Sequence, residues 1–249
     1  MNIGLYQSAS SLSALEKWQD AVAQNITSSQ VTGYRKRTVE FMAKNAGERQ
    51  LDPKASPGSE GGQNAVFPQA TVGINFITGE TQPTRRELDL AIQGEGFFEV
   101  QMPDGARAYT RNGELHLRPD RTLVTTSDAE ILTDGGAPVV LLPGGGPVSI
   151  NADGTIFQGD TALGRLAVTK FSNPAALTPI AGGMFLPQDG AGRETVEKPV
   201  VMQGYLENSN VTPLREMVDL VVISRAYEAN QKMITTIDQS MQKTLEALG

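Results

Sequence analysis

One histidine, no cysteine and 28 acidic residues bound the chemistry open to this 249-residue chain. His116 lies between Leu115 and Leu117 in a strand-like run, so with the leucines turned inward its imidazole faces solvent. A Ser-His-Asp site would have to use it, and no serine stands in a G-x-S-x-G elbow. The lack of cysteine removes disulfides, thiolate zinc sites and a cysteine nucleophile together. Gly94 to Phe98, GEGFF, has the spacing of a dinucleotide loop only superficially: Glu99 stands where the third glycine belongs, and a strand follows instead of a helix. Pro143 to Pro147, PGGGP, lacks the Lys-Ser/Thr of a phosphate loop. Asn151-Ala152-Asp153-Gly154 opens like a calcium loop without the glutamate at the twelfth place, and reads better as a hairpin turn. Two carboxylates would suffice for glycoside hydrolysis, but aromatic content is 6% and the only tryptophan, Trp18, falls in a helix. No catalytic residue, metal site or cofactor is expected.

A net charge of −7 repels a phosphate backbone, and the one dense basic run, Arg35-Lys36-Arg37, reads as a solvated boundary beside a helix end. No nucleic-acid partner is expected. The first twenty residues lack a basic n-region and a continuous apolar run, and nowhere are 18 apolar residues consecutive. Neither a cleaved signal nor a membrane span is expected.

The elements that would position any site are clearest at the ends. From Leu5 to Ile26, apolar residues at 5, 12, 15, 22 and 26 follow a 3,4 spacing, with Ser8 and Gln19 filling the same repeat. That is the narrow seam of a coiled coil. Gly33 reads as the residue past the helix end. Near the C-terminus, Thr212 and Pro213 fit an N-cap and first helical position. Leu220, Tyr227, Ile234, Met241 and Leu248 then recur every seven residues, with Ile223, Asn230, Ile237 and Thr244 on the companion row. Between the ends, short alternating runs such as FFEVQM, RAYTR, ELHLR and TLVTT are separated by Asp104-Gly105, Asn112-Gly113 and Pro119-Asp120, the punctuation of antiparallel hairpins. Residues 44–68 are rich in Gly, Pro, Ser, Gln and charge, as a flexible linker is. The expected fold is mixed α and β, with N- and C-terminal helices paired as a coiled coil and flanking a central antiparallel all-β domain. The expected divisions are an N-terminal helix in 1–35, a linker in 36–69, the β domain in 70–203 and a C-terminal helix in 204–249.

Three blocks together resemble one family, the axial proteins of the bacterial flagellar rod and hook. In QNITSSQVTGYRKRTVEF, residues Asn25, Thr32, Gly33, Tyr34 and Arg35 match the family's N-terminal signature, while Ile26 and Ser28 replace its Leu and Asn. LDLAIQGEGFFEVQMPDGARAYTRNGEL, from Leu88 onward, is the closest block. The third holds Gly-x-Leu-Glu-x-Ser-Asn-Val at Gly204 to Val211, then Glu216-Met217 and Arg225-Ala226-Tyr227-Glu228. The sequence departs where Thr84-Arg85-Arg86-Glu87 replaces Thr-Gly-x-Pro, and where Arg121-Thr122 stands near a usual glycine.

The resemblance implies a structural subunit of the basal-body rod, not an enzyme, exported through the flagellar type III apparatus and packed into a helical drive shaft crossing the periplasm. Its implied partners are copies of itself, neighbouring rod and hook proteins and the export apparatus. The assembly seams are expected at Leu5, Leu12, Leu15, Val22, Ile26, Leu220, Ile223, Tyr227, Ile234, Ile237, Met241 and Leu248. Tyr6 without a Leu-Trp, and Ile223-Ser224-Arg225 in place of Gln-Arg, favour the proximal rod type over a distal-rod or hook-type subunit. From other classes, a secreted cell-wall hydrolase with helical docking segments and a β-rich binding module with helices packed on it are the alternatives.

Overall fold

The computed structural model describes residues 3–50 and 62–247. The chain divides into two compact bodies. One holds the terminal helices together with residues 37–73; the other holds residues 28–36 and 74–211.

In the first body, α1 (Ile3–Thr27) and α2 (Pro213–Glu246) run antiparallel. Asn25 meets Glu216 at one end of the pair, and Ser8 meets Met233 farther along. Thr212 and Pro213 occupy the N-cap and first helical positions, although the threonine hydroxyl makes no capping bond; the Glu216 amide donates to the Thr212 carbonyl instead. The stretch expected to be a linker differs from that reading. Two long strands, β1 (Arg37–Gln50) and β2 (Gly62–Ile74), pair there, while residues 51–61 lie outside the described part. They are held along α1: Ser10 Oγ donates to the Pro68 carbonyl at 2.7 Å, Lys17 Nζ to that of Ala70 at 3.3 Å, and Trp18 meets Phe41 edge to face at 5.5 Å. Thr38, Val39, Phe41, Val66, Phe67 and Val72 supply β propensity that the Gly, Pro and Ser content between them masks.

The second body is antiparallel β throughout. Its largest sheet is centred on the strand Phe97–Gln101, paired on one edge with Arg107–Thr110 and on the other with Glu130–Ile131 and Val168–Phe171. The Asp104-Gly105 hairpin is present, with Val100 opposite Ala108. Leu115–Leu117 pairs with Leu123–Thr125, and Val148–Ile150 with Thr155–Gln158 across the Asn151–Gly154 turn. Alternation sorts the central strand: Phe98 and Val100 enter the main core with Leu90, Leu123, Ile131 and Leu166, while Phe97 enters an aromatic cluster with Tyr109, Phe171 and Phe185. Glu99 is buried too, because Arg107 and Arg193 bond its carboxylate at 2.9 and 2.7 Å. His116 is exposed as expected, but Leu117 is exposed beside it, so only Leu115 of the two leucines turns inward.

Candidate assembly surfaces

The three sequence blocks meet in the β body around one carboxylate. Glu207, from the third block, is buried and accepts from Arg35 Nη1 at 2.5 Å, Arg111 Nη1 at 3.2 Å and the Gly79 amide at 2.9 Å. Arg35 comes from the first block and Arg111 from the second, and both are buried. Arg111 also donates to the carbonyls of Ile92 and Gly94, and its guanidinium lies 5.5 Å from the centroid of the Phe97 ring. Burial pulls the Arg111 pKa down to about 10, with Glu207 drawing it back up; at neutral pH it is a cation. The expectation of a solvated basic boundary fails at Arg35, because a partner far along the chain neutralises it, a fact no local window carries.

Around this cluster the blocks interlock through their backbones. Asn210 of the third block accepts from the Lys36 amide at 2.6 Å and donates to the carbonyls of Asn75 and Ile77. Thr32 donates to Asn112 Oδ1 at 2.6 Å, and the Gly33 amide to the Glu207 carbonyl at 2.7 Å. Gly33 does not end the helix, which stops at Thr27. It sits at φ +69° against the second block, where an added Cβ would lie 2.4 Å from the carbonyl carbon of Arg111. The two places that depart from the family's glycine pattern keep a left-handed backbone: Arg85 has φ 61° and Arg121 φ 68°.

The helix pair carries most of the seam residues. Leu15 and Val22 are buried, and Leu5, Leu12 and Ile26 are half-buried. Ser8, Ala14, Ala21 and Asn25, outside the expected set, are as buried as the best of it. α1 is covered by α2 and by the β1–β2 ribbon, so its hidden face is wider than a two-helix seam. On α2, Ile223 is buried, and Tyr227, Asn230, Ile234 and Ile237 are half-buried. Leu220 and Met241 are 39% and 42% exposed, and Leu248 lies outside the described residues. The companion row is thus the deeper one, and it begins at Glu216, fully buried in the first turn, whose carboxylate accepts from Asn25 Nδ2 at 2.9 Å. Asn25 also clasps the start of β1, accepting from the Arg37 amide at 2.8 Å and donating to its carbonyl at 2.9 Å. A second α2 stripe escaped the sequence reading: Leu214, Met217, Val218, Val221 and Val222 all face solvent. Their spacing of three and four residues was visible, but it competes with the seam for the same helix.

Similarity to characterised proteins falls on the same blocks. Residues 202–247 match the model of the flagellar basal body rod FlgEFG protein C-terminal, and residues 91–158 that of the flagellar hook protein FlgE/F/G D1 domain. The chain is 31% identical to the flagellar basal-body rod protein FlgF of Caulobacter vibrioides, over 100% of this chain and 99% of that one. It belongs to the flagellar basal-body rod FlgE/F/G family. A Rhizobium meliloti FlgF is 32% identical over 100% of this chain and 99% of its own, and a Borreliella burgdorferi FlgG is 32% identical over 95% of each. The protein is therefore an axial rod subunit and not an enzyme. Among the described residues no three His, Asp or Glu side chains are grouped to hold a metal, and no helix is long and apolar enough to cross a membrane.

Proposed function

We propose that this rod subunit is of the proximal, FlgF type and builds part of the drive shaft that passes torque to the hook, reaching the periplasm by flagellar export. Full-length similarity to two FlgF proteins, each matched over 99% of its length, supports the proximal type. The observation that carries the assembly role is the state of α2, which keeps apolar side chains in water on more than one face while α1 covers only part of it. A single side chain of that kind would be ordinary, but a periodic series on one helix marks a contact surface. Copies of this chain and neighbouring rod and hook subunits are the partners. The seam residues contribute in two ways: Leu15, Val22 and Ile223 hold the pair together, and Leu220, Met241 and the outward stripe meet other subunits.

Leu220→Asp tests this. The side chain is 39% exposed, so the free chain keeps its fold and its thermal transition. Assembly would bury a carboxylate without a partner, so a strain carrying the variant as its sole copy should lose its rods in isolated basal bodies and its swimming. Normal swimming from a normally exported Leu220→Asp protein would overturn the assembly role.

A further inference from the structure

Arg35 and Arg111 share one carboxylate between them. Among the described residues Glu207 is the only acid that bonds either, so the buried cluster carries one net positive charge, two guanidinium groups less one carboxylate. The Nε of each arginine is also buried without a hydrogen-bond partner among those residues. Such donors are uncommon in folded chains, because each has given up its hydration for nothing. Burial lowers the Arg111 pKa to about 10, Glu207 raises it and Arg35 lowers it again, so one carboxylate does not compensate both cations. Both arginines line a cavity of about 380 Å³ that lies wholly within the β body. Its walls are aromatic: the Phe97 ring stands 6.2 Å from Phe76 and 5.9 Å from Phe171, centroid to centroid, and all three border the space. Lys170 and Glu194 border it too, but they neutralise each other at 2.9 Å. Glu95, exposed between Gly94 and Gly96, makes no ion pair among the described residues.

We propose that this cavity is a binding site for a monocarboxylate carried on a flat apolar group. The carboxylate lies against the two guanidinium groups and supplies the anion and the acceptors they lack, while the apolar group lies along the phenylalanine rings. A planar guanidinium matches the two oxygens of a carboxylate. A cavity of this size that joins apolar walls to a few convergent charges has the form of a small-ligand site. Charge balance selects the ligand. One net positive charge answers one negative charge, and Glu95 repels a dianion such as a phosphate ester more than a monoanion. A neutral aromatic compound leaves the cations uncompensated. The same chemistry can arrive as a free molecule or as an acidic side chain, flanked by apolar residues, on a neighbouring protein chain. The site lies in the β body and is independent of the helix surfaces on which the rod reading stands.

Benzoate titrated into the purified full chain, followed by calorimetry and by NMR of the arginine Nε–H and aromatic signals, probes the site directly. Saturable binding with shifts at Arg35, Arg111 and the three phenylalanines is the expected result. Benzamide, which keeps the ring and lacks the charge, should not bind, and phenylphosphonate in its dianionic form should bind more weakly than benzoate. Two variants of exposed residues read the electrostatics without disturbing the buried cluster. Glu95→Gln removes the repelling carboxylate and should tighten benzoate binding about two- to fivefold; Lys170→Gln leaves Glu194 unpaired and should weaken it by a similar factor. No saturable benzoate binding, equal binding of benzamide, or an affinity that neither variant moves would overturn the proposal. Photolabelling with 4-benzoylbenzoate, competed by benzoate, separates the two sources. Labelling of the β body in the free chain and in isolated basal bodies alike supports a free carboxylate as the ligand. Labelling of the free chain alone supports a neighbouring chain's acidic side chain as the occupant in the rod. Labelling of neither would refute the site and leave the rod reading intact.

Discussion

Replacing Glu207 by leucine should be among the most damaging changes in the β body. The carboxylate is buried and is the shared partner of Arg35, Arg111 and the Gly79 amide. Its removal leaves two buried guanidinium groups facing each other without a counter-ion. Breaking a buried ion pair by deleting one member costs about 3–5 kcal/mol. The orphaned Gly79 amide adds about 1–3 kcal/mol. Because the leucine recovers some apolar burial, a net loss of about 4–5 kcal/mol is expected. In a body of roughly 150 residues each kcal/mol moves the midpoint by about 2–4 °C, so the transition should fall by about 10–20 °C. Urea and thermal unfolding of the full chain, with hydrogen exchange assigning the loss to residues 74–211, measure it. A second arm isolates the cause: adding Arg111→Met to Glu207→Leu removes one of the stranded cations and should restore part of the loss. If Glu207→Leu costs less than about 1 kcal/mol, or if Arg111→Met adds its own full cost in that background, the buried cluster is not what locks the three blocks together.

Two glycine-related changes have opposite signs. Gly33→Ala places a Cβ against the Arg111 and Asn112 backbone at a left-handed φ, and should cost more than about 3 kcal/mol, measured by urea unfolding of the full chain. Arg121→Gly relieves a left-handed non-glycine residue at φ 68°, worth about 1–2 kcal/mol. Less the entropy of glycine in the unfolded chain, it should stabilise by about 0.5–1 kcal/mol, read as a midpoint raised by a few degrees.

Much of the architecture was legible because it is periodic. A heptad recurrence from Leu220 to Met241 can mean little but a helix with a seam, and FFEVQM followed by Asp-Gly and RAYTR can mean little but a hairpin. Local pattern has nothing to say about Arg35, Arg111 and Glu207, whose types suggest surface residues until the β body brings 172 positions of chain separation down to one hydrogen bond. The β1–β2 ribbon was hidden for a related reason: its composition is that of a linker, and α1 is what holds it along a surface.

The sequence by itself determined which segments are helical, which central segments are hairpin strands and which family the chain resembles, since these depend on spacings within a few residues and on motif order. Only the tertiary structure decided which seam residues are already satisfied inside one chain and which remain in water. Leu15, Val22 and Ile223 carry the same pattern as Leu220 and Met241, yet the first three are buried and the last two are not. The difference comes from which side of each helix its neighbours in the folded chain cover. Relative length and placement of elements are properties of the folded chain, not of any one stretch of it.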